Sequence, residues 1–203
     1  MTNPIDDRDD RSPTYYNVLE IAVRELLAEK GVLSHETVDA QVADMDNRTP
    51  ARGAKVVARA WVDADYRALL LADGNAAVEA IGLDRGPYKL VVVANTPDVH
   101  NLVVCTLCSC YPRWLLGLPP DWYKSRPYRS RAVREPRAVL AEFGTALPEH
   151  VTVRVHDSTA DMRYLVVPER PAGTDGWSED RLAGLVTRDS MVGVAPALTA
   201  SDG

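Results

Sequence analysis

The N-terminal part of the chain has a helical spacing of apolar positions. From Tyr15 to Val32 apolar residues recur every three or four positions, and Gly31 follows a charged pair, which predicts an amphipathic helix ending at a glycine. Ser34 is suited to cap a second helix, whereas the Pro and Gly content of Asn47 to Gly53 is typical of a linker. We therefore expect a helical arm with its linker over residues 1–52, and the apolar face of its first helix needs a partner.

The pattern changes after this arm. Further helices are predicted at Asp63–Gly74, Ala76–Ile81, Glu135–Phe143 and Ser178–Val186. Short Val-rich runs bounded by Pro, Asn, Asp or His, which are typical of strands, occur at Leu90–Ala94, Leu102–Cys105, Val151–Val155 and Tyr164–Val167. This order predicts an α+β fold, in which a layered α-β-β-α metal-binding domain spans residues 53–203.

Composition and charge exclude several classes of protein. The chain has 203 residues, of which 46% are hydrophobic and 26% charged, as in an ordinary globular protein. Its net charge of -6 argues against nucleic acid as a partner, because phosphate binding needs a basic field. The longest apolar runs are too short to cross a membrane, and the acidic N-terminus lacks the apolar core of a signal peptide. We expect a cytoplasmic protein.

The candidate chemistry lies in a cysteine cluster. Cys105, Cys108 and Cys110 follow a predicted strand in the spacing C-x-x-C-x-C, and they are the three cysteines of the chain. Soft sulfur ligands select zinc, copper(I), iron or cobalt. A structural zinc site wants four ligands, usually as two separated pairs, and no second cysteine pair exists. A buried apolar cluster and a redox pair are the alternatives that involve no metal.

The loop that contains these cysteines can supply more than sulfur. If it curls around an ion, the amide nitrogens of Ser109 and Cys110 become in-plane ligands. Cys105 is then axial, and the position opposite stays open, as a catalytic metal requires.

The residues around the cluster resemble a known family. The segment V-C-T-L-C-S-C at residues 104–110 is followed by L-G-L-P-P-D-W-Y-K at 116–124 and Y-R-S-R-A-V-R-E-P-R at 128–137. Together they are similar to the alpha subunit of nitrile hydratases and to the metal-bearing subunit of thiocyanate hydrolase. The likeness extends from near Gly53 to Gly193, far more of the chain than a chance motif covers.

This resemblance implies a set of metal ligands and modifications. Cys105 would be the unmodified axial thiolate, Cys108 a sulfinate and Cys110 a sulfenate, with amide nitrogens from Ser109 and Cys110. Family members with Thr at the second position and Tyr after the last cysteine tend to hold cobalt, whereas those with Ser hold iron. Thr106 and Tyr111 therefore imply one cobalt(III) per chain rather than iron(III).

The resemblance also implies a reaction and its partners. A nitrile would be hydrated to its amide, with either the sulfenate oxygen of Cys110 or metal-activated water attacking the nitrile carbon. Ser109 would hydrogen-bond the reacting group. The family implies a metal-free beta-type partner, as one chain or two, which the arm wraps, and a metallochaperone or activator for assembly. A thiocyanate hydrolase subunit and a metal-delivery protein remain as alternatives.

The sequence departs from the family near the expected substrate. Most nitrile hydratases have Trp-Pro where Arg113 and Trp114 stand here, and upstream Gln-Gly-Glu is replaced by Arg85-Gly-Pro if the glycines are matched. We expect Arg85, Arg113 and Trp114 to line the substrate pocket. Two guanidiniums would favour a substrate that is larger or more polar than a simple aliphatic nitrile, and they would equally attract an anion such as thiocyanate. The alternative is that both side chains extend to solvent or pair with the partner subunit.

Other charged and ionisable residues are predicted to be structural. The run of arginines at 129–137 is expected to form a solvated or salt-bridged face. His100, His150 and His156 are interpreted as loop or strand-end residues, because no nucleophile stands beside them in the sequence.

Overall fold

The computed structural model describes residues 15–201. Its helices are α1 (Tyr15–Glu29), α2 (His35–Asp46), α3 (Ala51–Val62), α4 (Ala64–Ala72), α5 (Gly74–Ala80), α6 (Arg113–Leu116), α7 (Asp121–Lys124), α8 (Arg126–Arg134), α9 (Pro136–Glu142), α10 (Glu179–Ala183) and α11 (Arg188–Val192). Its strands are β1 (Lys89–Ala94), β2 (Val99–Val104), β3 (Thr152–Asp157) and β4 (Met162–Val167). The fold is α+β, as the order of patterns predicts.

The four strands form two small parallel sheets rather than hairpins. β1 pairs with β4 from Lys89↔Met162 to Ala94↔Val167. β2 pairs with β3 from Val99↔Thr152 to Val104↔Asp157. Each of the first two strands thus pairs with a strand much later in the chain, and β2 also packs on β4. The parallel pairing brings the carboxyl ends of β2 and β3 to one edge, where the cysteine loop begins.

Helix α3 lies at the centre of the core and was not predicted as a helix. Val56, Val57 and Ala58 are fully buried in it. The linker prediction is wrong for its last residues, because Pro50 stands at the N-cap of α3 and Gly53 lies inside the helix. A Cβ on Gly53 would meet Leu116 at 2.6 Å and Met191 at 2.7 Å. The absence of a side chain at Gly53 therefore allows close helix packing. The glycine does not form the turn that was predicted from its residue type.

The helical arm has the predicted elements but no packed face. Ser34 caps α2 by accepting a hydrogen bond from the amide of Thr37, as expected. Neither α1 nor α2 contains a buried residue. The apolar side chains of α1 that are exposed include Val18, Leu19, Ile21, Val23 and Leu26. Residues 1–14 of the predicted arm lie outside the described residues, and the division into 1–52 and 53–203 stays a prediction.

The remaining helices correct the predicted pattern in detail. Ser178 caps α10 as predicted, but the helix ends at Ala183 and not at Val186. The arginine run forms α8, in which Arg131 binds Glu135 at 2.6 Å and Glu142 at 2.5 Å. This confirms a salt-bridged face at Arg131. Within the described part of the chain, no helix is long and apolar enough to cross a membrane.

His100 lies within β2, and not before the strand. Its Nε2 is 2.7 Å from the carbonyl oxygen of Gly193, and burial lowers the pKa of the imidazole. The side chain is thus a buried link between β2 and the end of α11. It is not among the side chains that approach the cysteines.

Gly193 is held against β2 and provides a test of this packing. Its φ is +89°, and an added Cβ would lie 1.9 Å from the carbonyl oxygen of Asn101. We predict that Gly193→Ala destabilises the protein by more than the roughly 1–2 kcal/mol that a left-handed conformation costs a residue with a Cβ. Gly144→Ala is the matched control, since Gly144 has φ +84° and nothing within 4 Å. Thermal and urea unfolding should separate the two variants; equal losses of stability would contradict the close contact.

Candidate metal centre

The three cysteines converge in the structure. β2 ends at Val104, and the following residues Cys105 to Cys110, here called the claw loop, curl back on themselves. The sulfur of Cys108 lies 3.6 Å from that of Cys105 and 3.3 Å from that of Cys110. All three sulfurs lie within 4.8 Å of one another, the one such metal-binding group found among residues 15–201. Soft, converging sulfurs fit a thiophilic metal ion.

Without a bound cation, the cysteine thiols of the claw loop oppose one another's ionisation. The hydrogen bond from Cys110, together with those from the amides of Ser109 and Cys110, lowers the pKa of the Cys108 thiol. Burial and the neighbouring sulfurs raise the pKa of Cys110 to about 12. The loop therefore favours one thiolate and resists further ones, because like charges would meet in a partly buried space. A bound cation removes that resistance, and its binding must release protons.

Asp157 holds the first half of the claw loop. It ends β3, opposite Val104 at the end of β2. One carboxylate oxygen accepts a hydrogen bond from the amide of Thr106 at 2.9 Å, and the other accepts from its hydroxyl at 2.6 Å. Sequence reasoning missed Asp157. The signal was present, since parallel pairing of the two strands would have placed Asp157 beside Cys105.

An aromatic layer supports the second half of the claw loop. The hydroxyl of Tyr123 donates to the carbonyl oxygen of Cys110 at 2.9 Å, and that of Tyr128 donates to the carbonyl oxygen of Val103 at 2.6 Å. Both side chains are fully buried. Burial raises the pKa of each phenol, so both remain donors at any ordinary pH. The ring of Trp122 packs edge-on against both tyrosine rings.

A pocket opens beside the claw loop. Its volume is about 430 Å³, and we call it the claw pocket. Its lining residues are Arg48, Pro87, Tyr88, Cys108, Ser109, Cys110, Tyr111, Arg113, Trp114 and Arg163. The structure thus brings two of the predicted pocket residues, Arg113 and Trp114, to the predicted metal ligands.

Arg85 is placed differently. It lines a neighbouring groove with Asn75 and Lys89, and its guanidinium lies 4.0 Å from the carboxylate of Glu79. Arg113 was predicted to share the pocket with the guanidinium of Arg85. The structure places the guanidinium of Arg163 there, and it too lacks a carboxylate partner. Its charge opposes the rise in the pKa of Cys110, and its Cζ lies 4.0 Å from the centre of the Tyr88 ring. Neither Arg163 nor Tyr88 stands near the cysteines in sequence, so neither was predicted.

Comparisons with known proteins give matches to subunits of nitrile hydratases and of a thiocyanate hydrolase. The family described as nitrile hydratase, alpha chain, matches residues 14–195. The high-molecular weight cobalt-containing nitrile hydratase subunit alpha of Rhodococcus rhodochrous is 50% identical over 92% of this chain and 93% of its own length. The corresponding cobalt-containing subunit of Pseudonocardia thermophila is 49% identical over 87% of this chain and 88% of its own. The gamma subunit of thiocyanate hydrolase from Thiobacillus thioparus is 47% identical over 89% of this chain and 79% of its own length.

Solved structures agree with these relatives. A recombinant thiocyanate hydrolase with partially modified cobalt centers has a TM-score of 0.86 at 45% identity, and the match covers 92% of each chain. A variant of the Fe-type nitrile hydratase of Comamonas testosteroni Ni1 has a TM-score of 0.84 at 44% identity, covering 92% of this chain and 94% of that one. The shared fold therefore occurs with both cobalt-containing and iron-type proteins.

The support given by Tyr123 can be measured against a neighbouring tyrosine. We predict that Tyr123→Phe lowers the free energy of unfolding by about 1–3 kcal/mol, because the buried carbonyl of Cys110 loses its donor. Tyr111→Phe should be neutral or stabilising, since the buried Tyr111 hydroxyl has no hydrogen-bond partner. Chemical denaturation of both variants tests the difference. A cost for Tyr111→Phe as large as that for Tyr123→Phe would show that the hydrogen bond is not the cause.

Asp157 is predicted to hold the claw loop in its metal-binding shape. In Asp157→Asn one acceptor oxygen is replaced by a donor that faces Thr106, so one of the two hydrogen bonds is lost. We expect faster loss of metal to a chelator and a stability cost of about 1–3 kcal/mol. Asp161→Asn, a change at an exposed aspartate just before β4, is the control. Unchanged metal retention in Asp157→Asn would rule out this role.

Proposed function

Because the chain belongs to the nitrile hydratase alpha-chain family, we propose that it is the metal-carrying subunit of a cobalt nitrile hydratase, which converts a nitrile and water to an amide. The convergence of the Cys105, Cys108 and Cys110 sulfurs at the end of β2 carries this proposal. The water oxygen adds to the nitrile carbon, and its two protons end on the amide nitrogen. Cobalt(III), when bound, supplies Lewis acidity and a template for the substrate.

The chain's own residues have distinct tasks in this proposal. Cys105 is fully buried and would hold the metal through a thiolate that solvent does not reach. Cys108 and Cys110 lie at the claw pocket and would carry two oxygens and one oxygen, respectively. The amides of Ser109 and Cys110 would complete the ligand set. Ser109 lines the claw pocket, where its hydroxyl would orient the substrate. The sulfenate oxygen of Cys110 can then accept a proton from water or attack the nitrile carbon.

Cobalt is favoured over iron by two residues and by the relatives. Thr106 and Tyr111 match the cobalt-type pattern of the family, and two relatives that are 49–50% identical are named cobalt-containing. The Thr106 methyl group distinguishes it from the serine of iron-type proteins, and Asp157 binds its hydroxyl. One cobalt(III) per chain is the proposed occupancy.

A partner subunit is part of the proposal. The exposed apolar face of α1 has no cover within residues 15–201, and Leu107 at the tip of the claw loop is 82% exposed. Burying such side chains against a beta-type subunit, whether one chain or two, would remove this apolar surface from water. A metallochaperone or activator would deliver cobalt while the claw loop is still accessible.

Thiocyanate hydrolysis is the second candidate, and a specific observation favours it. Arg113 and Arg163 give the claw pocket two cations, and no carboxylate lines it. An anionic substrate would be attracted to such a pocket. Two observations favour nitriles: the pocket far exceeds the volume of a three-atom anion, and the chain matches 93% of a nitrile hydratase subunit but 79% of the thiocyanate hydrolase subunit.

The proposed function predicts one cobalt per chain in protein produced with its partner and with cobalt, with two oxygens on Cys108 and one on Cys110. Intact-mass and peptide analysis measure the modifications, and metal analysis measures the occupancy. The same sample is assayed for amide formed from nitriles and for carbonyl sulfide and ammonia formed from thiocyanate. Stoichiometric iron, or three bare thiols in an active sample, would contradict the proposed centre. Turnover of thiocyanate but of no nitrile would establish the second candidate instead.

A further inference from the structure

Another cavity lies at the opposite end of β2 from the claw loop. Its volume is about 550 Å³, which is within the usual range of ligand-binding cavities. It opens where β1 and β4 end, since Asn95 follows β1 directly and residues 168–170 follow β4. In open α/β sheets, ligands bind outside the carboxyl ends of parallel strands. The β2–β3 sheet has the claw loop at that edge, and the β1–β4 sheet has this cavity, here called the far cavity.

The far cavity is separate from the metal centre. His100 lines it near the start of β2, and Cys105 follows the end of the same strand. Five residues of extended strand span about 16 Å, which is longer than a small ligand. Among the described residues, none lines both this cavity and the claw pocket. A small ligand in the far cavity therefore does not touch the claw loop.

Asn95 brings an under-used hydrogen-bond donor to the far cavity. Its side chain is only 7% exposed. Its Oδ1 accepts from the backbone amide of Asn101 at 2.8 Å and from the side chain of Asn101 at 3.0 Å, which fixes the orientation of the Asn95 amide. Within the described chain its Nδ2 has a single partner, Nδ1 of His100 at 3.4 Å, which is longer than an ordinary hydrogen bond. A buried donor that lacks a good acceptor favours a ligand that supplies one.

The charges that line the far cavity cancel. Glu169 is the one carboxylate and Arg170 the one guanidinium in its lining. Neither forms an ion pair with a residue of the described chain, and Arg170 donates instead to the carbonyl oxygen of Trp61 and to Thr174. Burial lowers the pKa of His100, so its imidazole is neutral near pH 7. A neutral polar ligand is therefore favoured over an ion of either sign.

The remaining groups of the lining add acceptors and an apolar surface. The Thr145 hydroxyl donates to the carbonyl oxygen of Val194 at 2.7 Å, so its lone pairs are left to accept a hydrogen bond. The unpaired Glu169 carboxylate is a second acceptor. Much of the other lining is apolar and includes Leu147, Pro168, Pro171 and Pro196. A neutral group that has both an acceptor oxygen and an N–H donor is a carboxamide, and a short hydrocarbon chain on it suits the apolar wall.

We propose that the far cavity is a second ligand site, which binds small carboxamides through Asn95, Thr145 and Glu169. The amide oxygen accepts a hydrogen bond from Nδ2 of Asn95, and the amide N–H group donates to Thr145 or Glu169. A carboxylate of the same shape has no N–H group and meets the charge of Glu169, whereas an amine leaves Asn95 without an acceptor. The amide that a nitrile hydratase forms belongs to this class, but binding in the far cavity requires neither cobalt nor turnover.

The test compares isobutyramide with isobutyrate on the complex of this chain with its partner subunit. Hydrogen exchange measured by mass spectrometry separates the two sites, because peptides of residues 95–101 and 144–147 report the far cavity and those of residues 105–110 report the claw loop. We expect isobutyramide to slow exchange in the far-cavity peptides. Isobutyrate should need at least about a tenfold higher concentration for the same effect. Equal effectiveness of the two compounds in the unmodified chain would overturn the ligand class.

Ala172→Phe tests the position of the site. Ala172 lines the far cavity and is exposed, so a phenyl ring there can occupy the cavity without entering the core. We expect this variant to lose the slowing in the far-cavity peptides and to keep the exchange of the claw loop unchanged. Ala138→Phe, at an exposed alanine of α9, is the matched control and should bind isobutyramide like the unmodified chain. Slowing that persists in Ala172→Phe, or that isobutyramide never produces in the unmodified chain, would overturn the proposal.

Glu169→Gln tests the ligand class, because it removes the charge and keeps the size of the side chain. The preference for isobutyramide over isobutyrate should fall to less than about threefold. Asp175→Asn, at an exposed aspartate of the same loop, is the control and should keep the full preference. A preference that Glu169→Gln leaves unchanged would contradict the role of Glu169 and the ligand class with it. Nitrile hydration by the same samples is assayed separately, so a lack of hydratase activity bears on the proposed function alone.

Discussion

The arrangement of three cysteine sulfurs within 4.8 Å is the constraint on which the rest of the site depends. Thiols that close together do not all ionise: burial, together with the neighbouring sulfurs, raises the pKa of Cys110 to about 12. The protein therefore has to hold the claw loop in a shape that becomes favourable only with a cation present. Asp157 holds Thr106, and Tyr123 holds the carbonyl of Cys110, so the two ends of the loop are fixed separately.

The parallel sheets explain how so short a loop acquires these supports. β3 lies beside β2 and ends level with it, which places Asp157 next to the loop. β4 lies beside β1 and begins near Tyr88, which places Arg163 on the other side of the claw pocket. The pocket thus forms where the carboxyl ends of one sheet approach the amino ends of the other. Tyr88 and Arg163 stand at the starts of β1 and β4, and the claw loop follows β2, so residues from distant parts of the sequence meet in the pocket.

Family membership and substrate choice rest on different parts of this chain. The claw loop and its supports belong to a family whose named members include nitrile hydratases and a thiocyanate hydrolase. Under the proposed function the centre would serve either reaction, and discrimination between the substrates would fall to the walls of the pocket. In this chain those walls carry Tyr88, Arg113 and Arg163, and they lack a carboxylate. The exposed faces of α1 and Leu107 leave room for a partner subunit to complete the enclosure.

Local chemistry was readable from the sequence, because it depends on neighbouring residues. The C-x-x-C-x-C spacing predicted a single convergent centre, Ser34 and Ser178 predicted helix starts, and the Val-rich runs predicted the strands. Tertiary structure alone decided which strands pair, because the alternation of side chains within a strand does not determine which other strand lies beside it. It thereby decided the roles of Asp157, Tyr88 and Arg163, and it moved Arg85 to another groove. Gly53 shows the same limit: its type suggested a turn, but the reason for it is the side chains of Leu116 and Met191, which only packing brings there.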